Sequence, residues 1–484
     1  MKKVNLLFFL LLSTVIAFTS CTEEETPSFG NPTVQSQATA SGLPGEEVDI
    51  AVLVSAPAGV SRVTVSINGG EETDLNVTAG EESANITHTF MVPEDAEEGS
   101  QHTMVYVVYD ESGNASVNAT TTLTIGEGPD TIEITNNIES DMTWETGKTY
   151  LLKGRISVTE GNTLSIEPGV VVKGAAGSGS NATALVIARG ATIMAEGEPE
   201  SPIIFTSVAD EIEPGQIASP NLEPSINGLW GGLLILGKAH GSFGGNVTEV
   251  QIEGIPASDP NGLYGGEDDE DNSGVLKYVS IRHGGANIGE GNEINGLTLG
   301  CVGSGTVIEN VEIIGNQDDG IEWFGGTVNV TNAVVWNAGD DAIDADQAWN
   351  GILDNFFVVS PGDKCFELDG PEGSYINGNY TLKNGTVIAG EAAGLVDNDE
   401  NTNVDMSAVY FTNLTAGQTF DILPTVEASF YDLQATLPEG GVLANFFLGG
   451  SLEFASEVAA GENTVGADKE VFAGWSWTSE AGKL

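Results

Sequence analysis

The stretch "VEIIGNQDDGIEWFGGTVNVTNAVVWNAGDDAIDADQA", residues 311–348, repeats itself. "VEIIGN" (311–316) returns as "AVVWNAG" (333–339), and "GIEWFGG" (320–326) returns as "AIDADQA" (342–348). The acid pairs Asp318/Asp319 and Asp340/Asp341 lie 22 residues apart. Two interleaved strand series extend from this core. One continues through "FFVVSPG" (356–362), "GTVIAGE" (385–391) and "AVYFTNL" (408–414). The other runs from "GLTLGCVG" (296–303) through "CFELDGP" (365–371) to "GLVDNDE" (394–400), in steps of 24, 22, 23 and 29 residues. Short apolar strands and Gly/Asn turns repeating at that length, with no helical period, predict stacked coils. The expected fold is a parallel β-helix, right-handed by the usual crossover preference, with successive rungs about 4.8 Å apart.

Composition sets the surroundings. The chain has 484 residues and a formal net charge of −56. That charge excludes generic affinity for nucleic acid or an anionic lipid surface, since both would be repelled. Hydrophobic residues at 40% argue against disorder, and 63 glycines imply many tight turns. "MKKVNLLFFLLLSTVIAFTSC" (1–21) pairs two lysines with a short apolar run and small residues before Cys21. It reads as a secretory signal (1–20), too short and wrongly flanked to remain as a membrane span. "FTSC" resembles a bacterial lipobox, which makes Cys21 the expected lipidation site. The acidic tether that follows (21–33) resembles the export signal of Bacteroidota surface lipoproteins. The expected location is the outer membrane, held by acyl chains alone and facing outward.

Between 34 and 126 the pattern changes to period-2 strands, among them "EVDIAVLVSA", "SRVTVSING" and "HTMVYVVYDESGNAS". These predict an immunoglobulin-like β-sandwich acting as a spacer. "GEGPD" (126–130) is the expected boundary, and the β-helix with a C-terminal cap is expected over 131–484.

"GLWGGLLILGKA" (228–239), "IEGIP" (252–256) and the long string from "LYGGEDDEDNSG" to "DAIDADQA" (263–348) resemble β-helix lipoproteins widespread in Bacteroidota. The resemblance covers most of 131–484 and implies fold and location. It implies no established activity and no site residues.

Strand alternation places Ile321, Ile343 and Phe366 in the core and Glu322, Asp344 and Glu367 outward on three successive rungs. Asp346 and Asp369 face outward two residues further along, with Asn398 continuing their column and Val396 ending the Glu322 column. Asp318, Asp340 and Asp363 should stack at the turn before the same strands. Like charges on neighbouring strands destabilise a sheet. Hence either some of these carboxyls hold protons or a cation sits among them. Hard oxygen donors suit Ca²⁺, whereas His88, His102, His240 and His283 are scattered. A second candidate for Ca²⁺ is "GGEDDEDNSG" (265–274), through Glu267, Asp268, Asp269 and Asp271. For both clusters the alternative is a solvated acidic surface.

Rings near these coils, Trp336 and Trp349 foremost, are candidates to stack on a sugar beside Asp318, Asp340 and Asp363. Core packing is the alternative for those rings. Trp475 and Trp477 are expected to cap the last coil. Cys301 and Cys365 fall three rungs apart, too far for a disulfide, and predict two free buried thiols. The functional expectation is a surface lipoprotein whose calcium-stabilised β-helix binds an extracellular ligand, most plausibly a glycan. Its partner would be a TonB-dependent importer of the outer membrane. A polysaccharide lyase or hydrolase is the second reading and a structural or adhesive surface protein the third. No residue is assigned a catalytic role. Lys364 beside Asp363 is a poor base, because an acidic field raises a lysine pKa.

Overall fold

The structure is a computed structural model that describes residues 31–484 apart from 38, 98, 126–130, 178, 287–293, 422 and 427. The expected signal, Cys21 and the "GEGPD" boundary lie outside the described residues. Among the described residues, no helix is long and apolar enough to cross a membrane.

The first part is a β-sandwich. Antiparallel strands Thr33–Ser36, Glu47–Ser55 and Ser83–Met91 form one sheet. Thr39–Gly42, Ala119–Ile125, Gln101–Asp110, Val60–Ile67 and Thr73–Leu75 form the other, in that order. The alternation seen in the sequence puts Ile50, Val52, Val63, Val65, Tyr106 and Val108 in the core between them. Ala51 and Leu53 pack outward against Ala209, Leu222 and Leu229 of the second part.

That second part is a right-handed parallel β-helix. Its flat face is an eight-stranded parallel sheet: Arg155–Val158, Ala184–Ile187, Leu233–Leu236, Leu297–Gly300, Ile321–Phe324, Ile343–Asp346, Lys364–Leu368 and Gly394–Asn398. A sixteen-stranded sheet forms the rest of each coil and contains the long strands from Gly274–Arg282 to Val404–Thr412. Each long strand bends at one left-handed residue. In successive coils this residue is Tyr278, Asn310, Asn332, Asn355, Asn384 and Ala408, with φ between 50° and 61°. Asparagine tolerates that backbone better than most residues, and here it also links coils. Asn332 Nδ2 donates to Asn310 Oδ1 at 2.9 Å, and Asn355 Nδ2 to Asn332 Oδ1 at 2.7 Å.

Ile321, Ile343 and Phe366 all lie in the continuous apolar core, together with Trp323 and Trp349. Cys301 and Cys365 are free and buried. The C-terminal segment differs from expectation. Trp475 and Trp477 do not cap the last coil; with Phe472 they pack against Ile314, Val334, Trp336 and Phe357 on the side of the middle coils. The reason is chemical. The outward face there carries large apolar side chains and a buried ion pair, Arg282–Glu312, which the segment covers.

Candidate functional site

The register of the eight-stranded face brings the predicted acids together. Glu322 pairs with Asp344, and Asp344 with Glu367. The column then continues through Asp397, because Gly394 pairs with Lys364 and Val396 with Phe366. Val396 therefore points into the core, and Asn398 pairs with Leu368 rather than extending the Asp346–Asp369 column.

These acids face away from the core but are not freely solvated. Between Leu233–Leu236 and Gly274–Arg282 the chain inserts a segment that lies over the face. Phe243, Gly244, Val250, Gln251, Glu253 and Tyr264 from this insertion, with Glu322, Phe324, Asp344, Asp346, Gln347, Glu367, Asp369 and Glu372, enclose an open cleft of about 540 Å³. Among the described residues, no Lys, Arg or His lines it. The roof leaves Glu322 only 7% exposed and Asp344 only 8%.

Donors are few at the buried end. Asn295 Nδ2 donates to Glu322 Oε2, and Glu322 and Asp344 hydrogen-bond to each other, while Asp344 Oδ1 is buried without a hydrogen-bond partner among the described residues. Asp319, Glu322 and Asp344 each bring a carboxylate oxygen within 4.8 Å of the others. Burial first, then the neighbouring like charges, pushes all three carboxyls well above their usual range. The same causes raise Asp346 to about 8 and Asp369 to about 7. An ion binding about six to eight oxygen ligands, as Ca²⁺ does, fits a set with this many hard donors and an unpartnered buried carboxylate oxygen.

Asp319 and Asp341 carry no site role in the sequence reading, yet the structure gives both one. Asp319 Oδ1 accepts the Asp341 N–H at 2.9 Å, and Asp341 Oδ1 accepts the Lys364 N–H. The second acid of each Asp-Asp pair thus ties its rung to the next. Burial, chiefly, raises Asp341 to about 8. The 22-residue spacing of the pairs was the available signal. The turn acids do stack, with oxygens of Asp318, Asp319 and Asp340, and of Asp340, Asp341 and Asp363, within 4.8 Å of one another. They lie beside the cleft and do not line it.

The other candidates sit elsewhere. Asp269 Oδ1 accepts the His240 N–H at 3.0 Å and meets His240 Nδ1 at 2.9 Å. Asp271 Oδ2 accepts the Lys238 N–H at 3.2 Å, and Glu267 and Asp268 are exposed. Among the described residues these four form no convergent ligand group. Trp336 and Trp349, candidates for sugar stacking with core packing as the alternative, are both buried, as the alternative has it. Trp349 stacks on Trp323 at 4.5 Å inside the core, and Trp336 lies edge-on to Trp477 at 6.0 Å. Lys364 Nζ is 2.8 Å from Asp363 Oδ1. Burial lowers that lysine's pKa, but the Asp363 hydrogen bond and the acidic field outweigh it, so the net shift is upward.

A family model described as a pectate-lyase-like β-helix domain matches residues 136–425, more than half of the chain, and the chain belongs to that family. Among solved structures it is similar to a family 28 exopolygalacturonase of Yersinia enterocolitica, with 13% identity, 88% of this chain and 90% of that one covered, and a TM-score of 0.23. A pectate lyase of Pectobacterium carotovorum is similar at 9% identity over 88% and 92% of the two chains, with a TM-score of 0.14. Fibronectin(III)-like modules of Clostridium thermocellum CbhA match 19% of this chain and 95% of their own at 17% identity, with a TM-score of 0.14. Likenesses this loose say nothing about what the chain acts on. No curated protein matches it.

Proposed function

We propose that this protein is a lipid-anchored surface protein of the outer membrane whose β-helix binds an extracellular glycan in the acidic cleft, with a calcium ion among its carboxylates. The observation that carries the reading is the Asp319–Glu322–Asp344 group, roofed by the insertion and holding a buried, unpartnered carboxylate oxygen beside an open polar cleft. An ion there supplies the positive charge that the described lining of the cleft does not. Gln251, Gln347 and the rim carboxylates then offer hydrogen bonds to sugar hydroxyls. The sandwich serves as a spacer below the β-helix, and delivery to a TonB-dependent importer is the partner that an anchored capture protein implies.

Cleavage of a glycan is the second reading, favoured by Asp346 and Asp369, whose carboxyls titrate near neutrality in the open part of the cleft as a general acid does. A lyase base is not among the lining residues. Calorimetry against a saccharide panel with and without Ca²⁺, with new reducing and unsaturated ends assayed in parallel, tests both. Calcium-dependent heat with no new ends is the expected result. Absence of binding by any saccharide sinks the glycan reading, and new ends replace it with catalysis.

A further inference from the structure

We infer that the cleft selects a saccharide bearing primary ammonium groups and rejects uronates. This rests on the glycan reading above and adds the class of sugar. The buried acids of the cleft face each other and the insertion, but its open part is walled by Asp346, Glu367, Asp369 and Glu372. Glu372 is exposed and the other three are half-buried. No cationic side chain lines the cleft among the described residues. Basic residues of the surrounding segments are already paired: Lys364 with Asp363 at 2.8 Å, Arg189 with Glu249 at 2.6 Å, and Lys238 with Glu160 at 3.6 Å.

An incoming uronate therefore adds one more carboxyl to a wall of carboxyls in a partly desolvated site, and it must first approach a chain of net charge −56. An ammonium meets the opposite. It has three donors and no acceptor, and the cleft wall is rich in acceptors and poor in donors. Charge-assisted hydrogen bonds of that kind are about twice as strong as neutral ones. Asp344 Oδ1, buried and unpartnered in the same cleft, shows that the acceptor surplus reaches the floor. A cation held by Asp319, Glu322 and Asp344 answers the charge at the buried end and leaves the rim carboxylates facing the ligand.

The test is calorimetry of the full chain in millimolar Ca²⁺ with four probes: chitosan oligosaccharides, the fully N-acetylated oligosaccharides of the same length, oligogalacturonates, and spermidine. The free amines are expected to bind at least about tenfold more tightly than the acetylated chains, with no heat from oligogalacturonates and weaker binding of spermidine. The paired substitution Asp369→Asn/Glu372→Gln should weaken the free-amine oligosaccharide by about tenfold or more and leave the calcium-induced rise in melting temperature unchanged. Equal binding of acetylated and free-amine chains overturns the selection and leaves the glycan reading standing. So does tighter binding of oligogalacturonates. Spermidine binding as tightly as the oligosaccharide overturns the saccharide part, and failure of these and every other saccharide overturns both readings.

Discussion

Two buried carboxylates on different sheets of the same β-helix, Glu312 and Asp344, are treated in opposite ways. Glu312 accepts from Ser280 Oγ at 2.6 Å, from the Trp477 N–H at 3.3 Å, and from the N–H and Oγ1 of Thr478, each at 2.8 Å. Arg282 stands 3.7 Å away, under the ring of Trp477. Asp344 has carboxylates above and below it and one oxygen with no partner among the described residues. Burial alone thus does not mark a functional group. The supply of donors does: where the fold provides them the acid is structural, and where it withholds them something else must complete the set.

The largest expected effect breaks the satisfied side. Glu312→Ala leaves Arg282 buried without its nearest counter-charge and strips the C-terminal segment of its acceptors. A loss of about 3–5 kcal/mol is expected, read as a lower midpoint in urea unfolding. Asp344→Asn should go the other way in calcium-free buffer at pH 8, holding or raising the midpoint because a neutral amide replaces an acid whose ionisation burial and its neighbours oppose. Two losses of similar size would mean that the faces do not differ as argued.

The next effect is in pH and calcium. In the folded chain Asp341 and Asp346 titrate near 8 and Asp369 near 7, far above unfolded carboxylates at about 4. Between those values the native state holds protons that the unfolded chain has lost, so stability falls as pH rises. That contribution is complete below the unfolded pKa and is lost as pH passes through 7 to 8. Melting in a chelator should therefore drop by several degrees from pH 6 to pH 9. Calcium needs Asp319, Glu322 and Asp344 ionised, and burial raises all three well above the usual range, so its stabilisation should grow as pH rises, reaching about 2.7 kcal/mol at an ion concentration one hundred times Kd. A midpoint unmoved by millimolar Ca²⁺ at pH 8 removes the ion.

Much of this contrast was legible in the sequence, and the illegible parts have physical reasons. Alternation within a 22–24-residue repeat was enough to place Ile321, Ile343 and Phe366 inside and Glu322, Asp344 and Glu367 outside, because each coil repeats the same inward and outward choice. The next coil is longer, and its extra residues hid the one-residue offset that makes Asp397, not Val396, the next acid. The roof was invisible because an insertion has no repeat to align with. The alternatives for Trp336, a sugar-stacking ring or a packed one, stayed open because its cover, Trp477, arrives from 141 residues later in the chain.

The smallest expected effect comes from a ladder that succeeds where the carboxylates conflict. Asn310, Asn332 and Asn355 stack in consecutive coils as the acids do, but an amide is both donor and acceptor, so each rung satisfies its neighbour. Two substitutions separate the ladder's parts. Asn332→Gly keeps an unstrained left-handed backbone at φ 59° and removes only the amide links, with an expected loss of about 1 kcal/mol. Asn332→Ala removes the links and also places a Cβ in the left-handed region, adding about another 1 kcal/mol. Urea midpoints in the order wild type, glycine, alanine would locate the ladder's value in self-complementary hydrogen bonding plus backbone tolerance. Alanine equal to glycine would leave the amides alone responsible. In either case calcium should stabilise both variants as it does the wild type, because this column belongs to the sixteen-stranded sheet and the cleft to the other.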